Sequence, residues 1–188
     1  MGPDTVATCT AFTGHHRLAS GSVSDVARAV REALDADPTL SVLVFDDATA
    51  SQVELDLRGT PNEVAARHSS PPPAPRGPGR PKLGVVAREV TLLPRHWEWL
   101  ASQPGGASVT LRKLVEEARK ANADLDAARI ARDAAYRFML AAGGNLPEFE
   151  EVTRALYAGD RARFSELTAV WPPDVRDYAM CLASDGMS

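Results

Sequence analysis

The sequence predicts an α+β protein that a proline-rich segment divides in two. Three observations support this prediction. Short apolar runs near the N-terminus are typical of strands, apolar residues three or four positions apart in the second half are typical of helices, and six prolines fall within residues 68–82. The expected order is a small ββαββα domain at 1–67, a linker at 68–82, a strand–helix–helix unit at 83–121 and a helical C-terminal region at 122–188.

The first block begins with two strands and a helix. The stretch "ATCTAFTG" is rich in threonine and apolar residues, which suits a strand, and "HHRLASG" gives a turn and a second short strand. In "SVSDVARAVREALDADP" the apolar residues recur at helical spacing, so this stretch is predicted to be a helix. Ser22 or Ser24 is a natural N-cap for it, and Pro38 prevents the helix from continuing.

Two more strands and a short helix complete the predicted N-terminal domain. The stretch "SVLVF" is a continuous apolar run, and "QVELDLRG" alternates Val53, Leu55 and Leu57 with polar residues, which is the strongest strand signal in the chain. The motif "TPNE" is a capping box, in which Thr60 caps the helix and Glu63 reaches back to it, with proline at the first helical position.

The proline-rich linker lies in the part of the chain that carries positive charge. Residues 68–122 hold nine basic and four acidic side chains, whereas residues 1–67 hold five and ten and residues 123–188 hold seven and eleven. Proline fixes φ and removes backbone donors, so we expect a semi-rigid polyproline-type linker rather than a packed element. In a chain of net charge −4, this basic segment indicates either a local anionic partner or arginines that only keep a linker soluble.

After the linker the pattern changes to one strand and a series of helices. The stretch "VAREVTLLP" is predicted to be a strand, and "PRHWEWLASQ" to be a helix that begins at Pro94 with Trp97 and Leu100 facing inward. The stretch "PGGAS" interrupts it, and a longer helix follows with Ser108 as its cap. Three short helices are expected around "LPEFEEVTRALYAG", "DRARFSELTAV" and "PPDVRDYAMCLAS". Their expected core residues are Leu156, Tyr157, Phe164, Leu167 and Val170.

Residues 88–120, "REVTLLPRHWEWLASQPGGASVTLRKLVEEARK", resemble a ribbon-helix-helix unit in their order of strand, helix, glycine-containing turn and helix. In that family two chains pair their strands antiparallel, and the two-stranded ribbon enters the DNA major groove. The resemblance therefore implies a homodimer that binds DNA. If Val90 and Leu92 face the dimer core, Glu89 and Thr91 face outward. The opposite register would bury the carboxylate, so we expect the first.

A second resemblance lies in the linker, where Pro78-Gly79-Arg80-Pro81 is followed by Lys82. This stretch is similar to the Arg-Gly-Arg-Pro core of AT-hook peptides, whose extended backbone lies in the narrow minor groove of A·T tracts. The first arginine of that core is missing, and Arg76 lies two residues before Pro78 as a substitute. The resemblance implies that A·T-rich DNA is contacted by Arg76, Gly79, Arg80, Pro81 and Lys82.

The ribbon-helix-helix resemblance also implies where the rest of the DNA would be held. In that family the N-terminus of the second helix grips a phosphate. The matching helix begins near Ser108, which could equally be a plain N-cap. The strand and this helix N-terminus supply the remaining candidate DNA contacts: Arg88, Thr91, Ser108, Thr110, Arg112 and Lys113.

The whole chain resembles a further family over nearly its full length. The order of its blocks and the segment "GRPKLGVVAREVTLLPRHWEWLA" are similar to an uncharacterised bacterial family, domain of unknown function 2239. This resemblance implies no activity.

Together these features predict a dimeric, cytoplasmic DNA-binding protein, either a transcriptional regulator or a nucleoid-associated factor. No segment has the roughly 18 consecutive apolar residues of a membrane-spanning helix, and the N-terminus lacks the pattern of a secretory signal. No catalytic grouping, cofactor motif or metal-ligand spacing is found, so we predict no enzyme activity, no cofactor and no metal. Cys9 and Cys181 are expected to be two lone buried thiols.

The alternative is a protein-interaction module that binds no nucleic acid. In that case the proline-rich linker is a spacer or a docking peptide, and the ribbon only dimerises. The acidic flanks, the incomplete hook and Glu89 favour this alternative, because an acidic side chain repels phosphate.

Overall fold

The structure, a computed structural model, describes residues 7–69 and 86–187. The chain divides into two compact units, Met1–Ser70 together with Leu125–Ser188, and Pro71–Asp124. The first unit therefore combines the N-terminal block with the C-terminal helices, which the sequence patterns alone suggest are separate regions. Most of the predicted linker, including all its prolines, lies outside the described residues.

A three-stranded antiparallel sheet forms one part of the first unit. Its strands are β1 (Thr8–Thr13), β2 (His16–Ser22) and β3 (Val42–Asp46), and β1 lies in the middle, in the order β2-β1-β3. Gly14, at φ 54°, lies in the short turn between β1 and β2, where a left-handed residue suits a tight hairpin. The predicted α+β class and these three strands are confirmed.

The strand predicted for "QVELDLRG" is wrong. Gln52 forms an isolated bridge with Phe45, but residues 53–57 form no strand. Val53, Leu55 and Leu57 still pack against a small core around Val26 and Val30, so the alternation reports burial rather than ladder pairing. Instead of a neighbouring strand, the Arg67 guanidinium satisfies the backbone carbonyls of Asp56 and Arg58, each at 2.9 Å. The N-terminal block is thus ββαβα.

Two predicted caps in this block are confirmed. The Ser22 hydroxyl accepts a hydrogen bond from the Asp25 N–H at 3.2 Å, and the helix ends before Pro38. At Thr60 both halves of the capping box form, with Thr60 N–H donating to Glu63 Oε2 at 2.8 Å. The helices of the first unit are α1 (Val23–Ala36), α2 (Pro61–Arg67), α5 (Ala123–Gly143), α6 (Phe149–Ala158), α7 (Arg161–Thr168) and α8 (Pro173–Ala183). Helix α5 begins two residues before Leu125, where the C-terminal segment of this unit begins.

An aromatic core joins the sheet to the C-terminal helices. The ring of Phe138 on α5 lies 5.1 Å from the rings of Phe12 and Phe45, and 4.7 Å from that of Tyr178 on α8. The main cluster of buried residues continues from these rings through α6 and α7. The sheet therefore gains part of its hydrophobic cover from residues more than a hundred positions away in the sequence.

The predicted core of the tail is confirmed at two residues and partly at a third. Leu156 and Phe164 are fully buried, and Leu167 is partly buried against the same cluster. Tyr157 and Val170 are exposed, so their prediction is wrong. Tyr157 follows Leu156 by one position on α6, and a rotation of about 100° turns it away from the core.

The described part of the second unit consists of residues 86–93, here called the extended segment after its predicted conformation, and two helices. Helix α3 (Pro94–Ser102) begins at Pro94 as predicted, and α4 (Gly106–Ala121) follows it. Residues 86–93 form no strand, and the backbone groups of 86–92 make no hydrogen bond to any other described residue. A strand needs a partner for its ladder, and the described part of a single chain provides none. The strand predicted for "VAREVTLLP" is therefore wrong for the described residues of the single chain.

Candidate nucleic-acid interface

A glycine pair sets where α4 begins. Gly105 has φ 88° and Gly106 has φ 73°, a region that other residues reach only with strain. A Cβ on Gly105 would also lie 3.1 Å from the Cβ of Val109. Gly105 is therefore the N-cap, and Ser108 lies inside the first turn of the helix. The prediction that Ser108 caps the helix is wrong, because the glycines allow the helix to begin three residues earlier than the serine cap implies.

The first two turns of α4 carry four of the predicted contact residues. These are Ser108, Thr110, Arg112 and Lys113. Ser108 and both basic residues are exposed, Thr110 is half-buried, and Arg112 Nε donates to the carbonyl of Ser108 at 3.2 Å. No side chain caps this helix N-terminus and no acidic residue lies in its first turn. The Gly106 N–H donates to the Gln103 carbonyl at 2.9 Å, and the remaining N–H groups of the first turn together with the two cations create an end that favours an anion.

The second half of the same helix is different, because its cations are paired. Arg119 lies 2.8 Å from Glu116, and Lys120 lies 3.9 Å from it. The Glu116 hydrogen bond raises the pKa of Arg119, and Arg119 lowers that of Glu116. Arg112 and Lys113 form no ion pair with any residue that the structure describes. The unpaired positive charge of α4 is thus confined to its N-terminal half.

Of the other predicted DNA contacts, the structure describes only Arg88 and Thr91. Arg88 and Thr91 are exposed on the extended segment, as is Glu89. The hook residues lie outside the described residues: Arg76, Gly79, Arg80, Pro81 and Lys82. The structure therefore brings together the four residues of α4, but it places Arg88 and Thr91 on a separate segment of the same unit.

An apolar groove of about 240 Å³ lies between α3, α4 and the end of the extended segment. Leu100 is the one buried side chain among residues 86–124, at 3% exposure. Trp97, predicted to face inward, is 41% exposed, and Trp99 is 51% exposed at the rim. The groove was not predicted from sequence, although the i, i+3 spacing of its helical residues is a signal for it. The lining residues are Leu92, His96, Trp99, Leu100, Leu111 and Leu114.

Several other sequence predictions concern the chain as a whole. Cys9 is buried as expected, and burial with the nearby Asp47 raises the pKa of its thiol to about 11, whereas Cys181 is exposed, which corrects the prediction for that residue. Among the described residues, no three histidine, cysteine, aspartate or glutamate side chains come together as metal ligands. None of the described helices is long and apolar enough to cross a membrane.

These features define a mixed α+β protein with a mainly helical first unit and a small second unit whose described residues form two helices. The chain belongs to the family described as an uncharacterized protein conserved in bacteria (DUF2239), whose pattern matches residues 8–183. No curated protein and no solved structure shows significant similarity to it.

Proposed function

We propose that this chain is a dimeric DNA-binding protein, a transcriptional regulator or a nucleoid-associated factor, whose second unit holds DNA phosphates. The observation that carries the proposal is the N-terminal half of α4. It combines an uncapped helix N-terminus, with no acidic residue in its first turn, with the side chains of Arg112 and Lys113, which form no ion pair among the described residues. Backbone N–H groups and basic side chains together are the usual means of fixing a duplex by its phosphates.

The dimer is supported by the backbone groups and apolar side chains of the second unit that no other described residue covers. The backbone of residues 86–92, which bonds to no other described residue, and the apolar groove lie in a unit with one buried side chain among its described residues. A second copy offers the same extended segment, and two such segments can pair antiparallel about a two-fold axis. That pairing would satisfy the backbone groups and would cover the exposed side chain of Val90, on the face that it shares with Leu92.

The linker contributes in this proposal through its AT-hook-like sequence. Arg76, Arg80 and Lys82 would lie in the minor groove of an A·T tract, while Arg88 and Thr91 on the extended segment would add contacts beside α4. Only Arg88 and Thr91 of these lie among the described residues.

A matched pair of double variants tests the phosphate contacts. R112A/K113A and R119A/K120A remove the same charge from the same helix, but only the first removes unpaired cations. Binding of labelled A·T-rich and mixed duplexes is measured by fluorescence anisotropy across a salt series. We expect R112A/K113A to weaken binding at least tenfold and to reduce the log–log salt slope by about 0.9 for each phosphate that the variant no longer neutralises. R119A/K120A should change both quantities little.

A third variant, Arg80→Ala, tests the hook in the same assay. We expect it to weaken binding to A·T-rich DNA more than to mixed DNA, because the minor groove of A·T tracts is narrow and strongly negative. If both double variants weaken binding equally, the DNA is attracted by net charge alone and the assignment to α4 is wrong.

Two observations favour the alternative of a protein-interaction module. The apolar groove of the second unit suits an amphipathic helix, and the exposed Glu89 on the segment beside it repels phosphate. If the wild-type protein binds neither duplex at low salt, the DNA-binding proposal fails and the groove becomes the site to pursue.

A further inference from the structure

A second cavity lies within the first unit and plays no part in the proposed DNA binding. Its volume is about 430 Å³, in the range of small-molecule sites. One side is polar and is formed by Thr10 of β1, Ser20 of β2, Asp47 in the turn after β3 and Tyr178 of α8. The apolar part of the lining includes Ile130, Ala131 and Ala134 of α5.

The polar side is a connected hydrogen-bond network that converges on one carboxylate oxygen. Thr10 Oγ1 donates to Asp47 Oδ1 at 2.7 Å, and the Tyr178 hydroxyl donates to the same oxygen at 2.7 Å. The Ser20 hydroxyl lies 3.0 Å from Thr10 Oγ1. Since the single proton of Thr10 is already directed to Asp47, the proton between these two hydroxyls must come from Ser20.

The network therefore offers the cavity acceptor lone pairs, and the hydrogen-bond donors of the lining come mainly from the Arg17 guanidinium. The hydroxyl protons of Thr10, Ser20 and Tyr178 are all used inside the network, so lone pairs are what these groups can offer a ligand. Asp47 Oδ2 accepts no hydrogen bond from the described chain. Burial and the hydrogen bond to Asp47 raise the pKa of Tyr178, so its hydroxyl stays protonated and keeps donating inward.

The charged groups around the cavity are mainly negative, which favours the same kind of ligand as the acceptor lone pairs do. Three carboxylates line it, those of Asp47, Asp177 and Asp185, against one guanidinium, that of Arg17. Asp177 is paired with Arg176 at 2.8 Å, but Asp47 and Asp185 have no basic partner among the described residues. Acceptor lone pairs and unbalanced negative charge both favour a ligand that brings hydrogen-bond donors and positive charge.

We propose that this cavity binds a small organic cation, an amine or amidinium group on an apolar body. The cationic group contacts Asp47, and the apolar body lies against Ile130 and Ala131 of α5. Thr10 and Tyr178 are positioning residues, because their hydroxyls donate to Asp47 Oδ1 and fix the carboxylate while Oδ2 faces the ligand. The proposal does not depend on DNA binding.

Three nearly isosteric probes test the charge preference of the cavity. Benzamidine is cationic, benzamide is neutral and benzoate is anionic, and phenethylamine provides an ammonium in place of the amidinium. Binding to the full chain is measured by isothermal titration calorimetry. A second readout is the alkylation rate of the exposed Cys181, which lines the cavity and which a bound ligand should protect. We expect both cations to bind and to slow alkylation, and benzoate to do neither.

Two variants separate the network from the shape of the cavity. Asp47→Asn keeps an oxygen that can accept from Thr10 and Tyr178 but removes the charge, so cation binding should weaken at least tenfold. Ala131→Phe fills the apolar side without touching the network and should abolish binding and protection. Glu32→Gln, an exposed carboxylate on α1 away from the cavity, is the control and should change nothing.

Each outcome decides the proposal. Failure of both cations to bind at about 10 mM, or binding of benzoate as tight as that of benzamidine, overturns it. Should Asp47→Asn fail to fold, Ala131→Phe decides, and unchanged benzamidine binding in that variant would show that the ligand lies elsewhere.

Discussion

The two units of this protein differ in how they bury apolar surface. In the first unit Phe12, Phe45 and Phe138 are fully buried in a cluster that spans the sheet and four helices. In the described part of the second unit only Leu100 is buried, while Trp97 and Trp99 are exposed. Burial of apolar surface is the main favourable term in folding. The first unit thus contains its own core, whereas we expect the second to gain stability when something covers it.

The largest expected effect is in the aromatic core of the first unit. Phe138→Ala removes the ring packing with Phe12, Phe45 and Tyr178 at 4.7 to 5.1 Å, and we expect it to lower the free energy of unfolding by about 3–5 kcal/mol. Urea unfolding measures this decrease. Val170→Ala, at an exposed position, is the control and should stay within about 0.5 kcal/mol of wild type. A decrease below about 1 kcal/mol for Phe138→Ala would contradict the assigned core.

A smaller effect, of a different kind, is expected in the second unit. Because Trp99 is half-exposed at the rim of the groove, Trp99→Ala should change the unfolding of the isolated chain little. If a second copy covers the groove, the same variant should weaken dimerisation by about 2 kcal/mol, or roughly thirtyfold in Kd.

Sedimentation equilibrium over a range of concentrations measures that change, with Glu98→Ala, the exposed neighbour on α3, as control. Equal dissociation constants for the wild type and Trp99→Ala would exclude the groove from the dimer contact.

The two units can also be compared through the starts of their helices. Helix α2 begins with a complete capping box at Thr60, whereas α4 begins at a glycine without a side-chain cap. We expect Thr60→Ala to cost about 1 kcal/mol of stability. Ser108→Ala, at a serine that caps nothing, should be within about 0.5 kcal/mol of wild type. Thermal or urea unfolding of both variants measures the difference. A larger loss of stability for Ser108→Ala than for Thr60→Ala would show that Ser108 does cap α4, as the sequence predicts.

The smallest expected effect is the pH dependence of that capping box. The hydrogen bond from the Thr60 backbone N–H lowers the pKa of Glu63 below its ordinary value. A lowered folded pKa means that the stabilisation is present above the unfolded value, about 4.3, and is lost as the pH falls through the folded value. Wild type should therefore be slightly more stable than Glu63→Gln at pH 7, and this advantage should disappear at about pH 3. If the stability difference between wild type and Glu63→Gln is the same at pH 7 and pH 3, the Glu63 carboxylate is not the source of that difference.

Local features of the first unit were predictable because their causes lie within a few residues. Ser22 caps α1 through Asp25, three residues away, and Thr60 pairs with Glu63 at the same spacing. By contrast, the alternating residues of "QVELDLRG" are partly buried without forming a strand, and Arg67 rather than a neighbouring strand donates to the carbonyls of Asp56 and Arg58. Alternation reports which side chains face a core, and it does not report what satisfies the backbone.

The two candidate sites also differ in whether local sequence could predict them. The basic residues of α4 were found from sequence because Arg112 and Lys113 follow a glycine turn on one helix. The cavity of the first unit was not found, because Asp47 and Tyr178 lie 131 positions apart and neither belongs to a motif. Only the packing of α8 against the sheet brings the hydroxyl to the carboxylate.

By itself, the sequence determined the α+β class, the three strands, a serine cap at Ser22 or Ser24, the capping box at Thr60 and the helix start at Pro94, because each depends on a propensity or hydrogen bond within one turn of chain. Only the tertiary structure decided that the N-terminal sheet and the C-terminal helices share a core. It also decided that Trp97 is exposed and that Asp47 meets Tyr178. These outcomes depend on which distant surfaces come together, and local patterns of polarity do not encode that choice.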